Sequence, residues 1–213
     1  MVRTHFHDSL DRLQADAVRM GELTLSEAEQ LVGLALEGRG DLLSAIEADV
    51  RSVRALRVDV EGRCMTLFAT QAPMARDLRR LSTIFKIAAD FEGMAESLLQ
   101  VTRVVAGRKP QPSSLAPLGS FASRLLETLS HTVRFCESGE AAHAQSVREL
   151  APGGEVVENL EAALVASIKG AEDAAERMPL LRLIPEVERV MDQCRKIVER
   201  VEYSLSGREA TVA

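Results

Sequence analysis

"IFKIAADFEGMAESLLQVTRVV" (84–105) is the stretch on which the fold turns. Its apolar residues Ile84, Ile87, Phe91, Met94, Leu98, Val101 and Val105 recur at alternating steps of three and four. That spacing gathers them on one stripe of a helix and predicts a buried seam. The same steps return in "LLRLIPEVERVMDQCRKIVERV" (180–201), through Leu180, Leu183, Val187, Val190, Cys194, Ile197 and Val201. Every member of the second set lies 96 positions after its counterpart, from 84 and 180 to 105 and 201. One seam written twice in one register implies an internal duplication.

The rest of the chain fits two copies of one unit. Turn signals at "EGRGD" (37–41), "TQAP" (70–73), "GRKPQPSSLAP" (107–117), "ESGE" (137–140), "APGG" (151–154) and "RMP" (177–179) separate long helical patterns. Six helices are predicted, over roughly 5–36, 41–69, 74–106, 118–137, 140–172 and 179–206, and almost nothing alternates with period two. The expected fold is all-α: two tandem antiparallel three-helix bundles, 1–106 and 118–213, joined by a linker at 107–117. Asp41 stands where a helix would begin, Pro73 and Pro179 suit a first turn, and Gly207 suits a C-terminal stop. Pro185 means that the last helix kinks or starts there. Pro152 with Gly153 and Gly154 breaks or splits the fifth helix.

Composition narrows the function. The 213 residues are 46% hydrophobic but only 3% aromatic, so the core must be aliphatic. A net charge of −6 offers no electrostatic attraction for nucleic acid. Cys64, Cys136 and Cys194 lie far apart in apolar stretches and read as buried, reduced thiols. The opening "MVRTHFHDSLDR" has charges and no apolar core, so a secretory signal is not expected. No run of 18 apolar residues exists, so a membrane role would come through a partner.

The duplicated helices carry duplicated acids. Glu92 and Glu96 stand four apart, and so do Glu188 and Asp192. At 100° per residue both pairs fall about 130–170° from the seam centre, on the side away from the core. Like charges one turn apart repel by a few tenths of a kcal/mol unless a cation lies between them. A solvated acidic face is the bland reading. The sharper one is a site for a hard cation, because such ions take oxygen ligands and adjacent carboxylates can bridge them. Facing ligands would come from Glu61 on the second helix, whose neighbour four residues back is Arg57, and from Glu155, Glu158 and Glu161 on the fifth.

Three segments together resemble the PhoU family, accessory regulators of bacterial phosphate uptake. They are "RTHFHDSLDRLQADAVRMGEL" (3–23), "CMTLFATQAPMARDLRRLSTIFKIAADFEGMAES" (64–97) and "EVERVMDQCRKIVERVEYSLSGRE" (186–209). The resemblance covers nearly the whole chain. It implies tandem three-helix bundles whose acidic motifs hold iron or another divalent or trivalent metal on the outer faces. It implies metal ligands at Glu188, Asp192, Glu92 and Glu96, with Glu61 and Glu158 facing them. Arg189 matches the family's arginine in the second motif. Gly93 replaces it in the first, where a mid-helix glycine costs about 1 kcal/mol relative to alanine, and Arg57 replaces a usual acid. The resemblance further implies a cytoplasmic negative regulator of the phosphate-starvation response. Its partners would be the phosphate ABC transporter's ATPase subunit and a phosphate-sensing histidine kinase, and homodimers are an open possibility.

Two other readings compete. Di-iron bundles use repeated Glu-x-x-His motifs. This chain has one such spacing, Glu140 to His143, so chance explains it better and no catalysis is expected. His131, four after Glu127, reads as a surface pair, and His5 and His7 as a fraying start. The second reading is a metal-free helical adaptor of the same fold with another partner. Asp8, Arg12, Asp16 and Arg19 on the first helix suit solvent cover or docking.

Overall fold

A computed structural model describes residues 2–37, 39–107, 118–151, 155–166, 168–170 and 178–207. Its helices are α1 (Val2–Glu37), α2 (Leu43–Gln71), α3 (Ala75–Ala106), α4 (Leu118–Ser138), α5 (Ala141–Leu150), α6 (Glu155–Ala166) and α7 (Ile184–Ser206). No strand occurs among the described residues.

Both seams are buried. Ile84, Ile87, Phe91 and Met94 on α3, and Val190, Cys194 and Ile197 on α7, have no exposed surface, while Val187 is only half-buried. Helix α1 adds a third seam with the same steps: Leu10, Leu13, Ala17, Met20, Thr24, Glu27, Leu31 and Leu34, all buried. Helices α1, α2 and α3 pack on one another, and α4 packs on α5 and α7. The halves join where α1 meets α4 and α3 meets α7, so one apolar core runs through both.

Two glycines allow the halves to approach closely. A Cβ on Gly21 would lie 2.8 Å from the Phe91 ring and 2.9 Å from Val133. A Cβ on Gly93 would overlap the Gln193 side-chain amide of α7. Any larger residue at 93 would have the end of the flexible Gln193 side chain swing aside. Asp90 and Arg200 form an ion pair across the same α3–α7 interface.

The fifth helix, expected over 140–172, is split as Pro152, Gly153 and Gly154 implied, and its second piece is shorter than expected. It ends at Leu150, resumes at Glu155 and stops at Ala166, and Ile168–Gly170 are not helical. The Arg124 guanidinium donates to the carbonyls of Leu150 and Glu149, capping α5 where the continuous helix would have used its own amides. The last helix starts at Ile184 with Pro185 in its first turn, where the missing N–H costs nothing. Residues 178–181 form a separate helical turn containing Pro179. Helix α2 starts at Leu43 after a 3-10 turn at Gly40–Leu42, and Asp41 makes no cap bond there but lies 3.7 Å from Arg39. Gly207 ends α7 at φ 71°, its N–H donating to the Tyr203 carbonyl at 2.8 Å. The segments 108–117, 152–154 and 171–177, including most of the expected linker, lie outside the described residues.

Candidate functional site

Antiparallel packing of α2 on α3 brings acids and arginines into register. Glu47 meets Arg103, Arg54 meets Glu96, and Arg57 meets Glu92. Arg57 is the centre of the group: it lies 3.0 Å from Glu92 and 2.6 Å from Glu61 on its own helix. The expected trio Glu61, Glu92 and Glu96 does gather on one face. Two guanidiniums already fill the space between its members. The acids are not on an open outer surface either, because α2 covers them and leaves Glu92 and Glu96 half-buried. In this half the donor set fits a metal only if Arg54 and Arg57 are displaced. Arg54 was not among the residues singled out from the sequence, although it stands seven before Glu61 on the same helix face.

The second half is laid out differently. Asp192 pairs with Arg195, three residues on in the same helix. Glu188 is exposed. Glu158 and Glu161 are exposed on α6, which packs on α7. Glu155 opens α6, and its side chain lies outside the described residues. Arg189 is exposed and lines a cleft of about 460 Å³ between α3 and α7, together with Glu96, Ser97, Gln100 and Glu186. Among the described residues, no three His, Cys, Asp or Glu side chains are grouped around one point.

The structure adds one acid that sequence reasoning missed. Glu27 sits in the α1 seam between Thr24 and Leu31, fully buried, and neither carboxylate oxygen has a hydrogen-bond partner. Burial, reinforced by the charges of Asp49 and Glu96, raises its pKa to about 9. Glu27 is therefore a neutral acid at pH 7, lying beneath the charged face. The seam spacing of α1 was the signal that could have found it. Nearby, Asp49 accepts from the Gln30 amide at 2.8 Å and the Ser26 hydroxyl at 3.3 Å.

The remaining candidates fall elsewhere. Cys64, Cys136 and Cys194 are buried and free, and burial pushes the thiols of Cys136 and Cys194 up to about 12. Such thiols are poor nucleophiles. On α1, Asp16 pairs with Arg63 of α2 at 2.5 Å and Arg19 with Glu22 at 3.1 Å, so that face is partly spent within the fold. His7 lies 3.6 Å from Asp77.

With this geometry in hand, the chain can be set beside known proteins. Residues 17–105 match the PhoU domain family model. A phosphate-specific transport system accessory protein PhoU homolog from Deinococcus radiodurans is 27% identical over 92% of this chain and 98% of its own length. The chain is similar to PhoU homologs along nearly its whole length. A second PhoU homolog with the same description, from Synechocystis, is 24% identical over 97% of this chain and 93% of its own length. The crystal structure of PhoU from Pseudomonas aeruginosa superposes with a TM-score of 0.85 over 95% of this chain and all of that one, at 17% identity. That likeness establishes the PhoU fold of helical bundles.

Proposed function

We propose that this chain is a PhoU-family protein and a cytoplasmic negative regulator of phosphate uptake and phosphate-starvation signalling. It would act by binding the phosphate ABC transporter's ATPase subunit and a sensor histidine kinase, without chemistry of its own. The observation that carries this reading is the near full-length match to relatives described as accessory proteins of phosphate-specific transport. No described helix is long and apolar enough to cross a membrane, which fits action through partners. A rigid helical body that binds one state of a partner better than another shifts its equilibrium by that difference in affinity.

Within this reading the two acidic faces have different uses. Iron or another hard metal on Glu188 and Asp192 with Glu158 from α6 would require these acids to move together, because they are not grouped around one point and Asp192 already pairs with Arg195. The first half is held by Arg54 and Arg57 as resident cations. That ion-paired arrangement also favours the second reading, a metal-free adaptor. Deleting the gene should raise alkaline-phosphatase expression at high phosphate, and unchanged expression would remove the regulator reading. Elemental analysis of the purified protein, with iron, manganese and zinc offered, separates the two readings. Under the adaptor reading, metal stays well below one ion per chain.

A further inference from the structure

His131 and His143 read as unrelated from the sequence, one on a surface pair with Glu127 and the other in a solitary Glu-x-x-His spacing. The fold brings them together. The tight turn between α4 and α5 is built on Gly139 at φ 70°, whose N–H donates to the Phe135 carbonyl at 2.9 Å, and on the Glu140 N–H donating to the Ser138 hydroxyl at 3.1 Å. The other end of the hairpin is held by Arg124 on the last carbonyls of α5. Between these two ties the imidazoles face each other, Nδ1 to Nδ1 at 2.9 Å, with ring centroids 5.2 Å apart and planes tilted by 42°. Both rings are half-buried, so solvent reaches the pair while packing limits the rotamers.

We propose that His131 and His143 form a chelating site for a borderline divalent transition metal of the Cu2+, Ni2+ or Zn2+ class. Imidazole nitrogens suit these ions, and hard cations prefer oxygen. Two nitrogens about 2.0–2.1 Å from one metal, at bond angles of roughly 90–110°, stand about 2.8–3.4 Å apart. The separation lies in that range, but the rings now meet head-on, because the centroid separation equals the Nδ1–Nδ1 distance plus two ring radii. A metal enters only as both rings turn their Nδ1 atoms toward one point, while the Nδ1 proton between them moves to Nε2 of its own ring. The pair supplies two ligands. Glu127, one turn before His131 and an electrostatic neighbour of it, is exposed, and water completes the coordination. Arg134 is the cationic group near His131 and tempers affinity. This site lies on the α4–α5 hairpin and shares no residue with the acidic faces, so it stands or falls independently of the metal reading above.

The chain has four histidines, which makes the test clean. The full chain carrying His5→Ala and His7→Ala is dialysed against CuCl2, NiCl2 and MgCl2 at pH 7.5. About one Cu2+ per chain is expected, with no Mg2+ retained, and the Cu2+ electron paramagnetic resonance spectrum should show coupling to two imidazole nitrogens. His131→Asn and His143→Asn, each alone, should weaken Cu2+ binding at least tenfold. Glu188→Ala with Asp192→Ala should leave it unchanged. A spectrum without imidazole nitrogen, or affinity unchanged in both Asn variants, overturns the proposal. The spectrum of the chain with both histidines intact needs no further substitution to fold.

Discussion

Glu92 and Glu96 hold the register in α3 that Glu188 and Asp192 hold in α7, yet their surroundings differ. In the first half, a long α2 runs antiparallel beside α3 and delivers Arg54 and Arg57 to the acids. In the second, the flanking helix is divided into α5 and α6, Glu188 is exposed, and the cation on Asp192 comes from its own helix. The core beneath differs as well. Glu27 of α1 is buried with no hydrogen-bond partner, whereas the buried Thr128 of α4 donates to the Arg124 carbonyl at 2.8 Å. Two acids in a shared register therefore do not make equivalent sites. Their chemistry is set by what the neighbouring helix contributes and by what is buried underneath.

The largest expected effect breaks the comparison at the core. Glu27 keeps its proton in the folded state up to about pH 9, but an unfolded chain releases it near 4.5. Its contribution to stability is thus complete below pH 4.5 and is lost progressively as pH rises to about 9. Urea unfolding at pH 5 and pH 9 should differ by several kcal/mol in the parent, on the order of 1.4 kcal/mol for each pH unit of the window. Glu27→Gln should flatten that slope. An equal slope in the variant would show that Glu27 is not the group responsible.

Next comes the α3–α7 contact. Replacing Gly93 by Arg, to copy position 189, should destabilise by about 1–3 kcal/mol through overpacking against Gln193. Gly93→Ala should fail to yield the ~1 kcal/mol that alanine normally adds in a helix. In a Gln193→Ala background the same change should yield it. Chemical denaturation of the four proteins completes the cycle, and simple additivity would refute the contact.

Smaller still is the effect of removing the built-in cations. Arg54→Ala with Arg57→Ala should cost up to about 1 kcal/mol at low salt, since these pairs are partly exposed. The variant should bind Mn2+ more tightly than the parent in isothermal titration, because Glu61, Glu92 and Glu96 lose their partners. No gain in Mn2+ binding would mean that the acids cannot converge on one ion. The mildest change is Glu188→Ala with Asp192→Ala. Stability without added metal should stay within about 0.5 kcal/mol, as expected for surface positions. The thermal shift produced by added iron should vanish if the second half holds it.

The helical architecture could be read directly because its signal is local. A seam stepping by three and four is a property of consecutive residues, and its recurrence 96 positions later needs no tertiary information. The end of α7 at Gly207 was equally accessible, since a left-handed cap favours glycine. The break in the fifth helix was harder: Pro152 marked it, but the stop at Ala166 has no comparable breaker. At the acidic faces, the sequence showed which carboxylates share a turn. It did not show that Arg54 lies across from Glu96, because that pairing depends on how two helices slide past each other. His131 and His143 illustrate the same limit, each being unremarkable on its own helix.

By itself, then, the amino-acid sequence determined the seams, the duplication and the positions of the acids along each helix, because backbone geometry ties spacing to helix face. The tertiary structure decided which cations neutralise Glu92 and Glu96, that position 93 faces Gln193, that Glu27 is buried as a neutral acid, and that two separate histidines share a hydrogen bond. These outcomes depend on distances between helices. Such distances follow from the packing of the whole core and are encoded in no single stretch of chain.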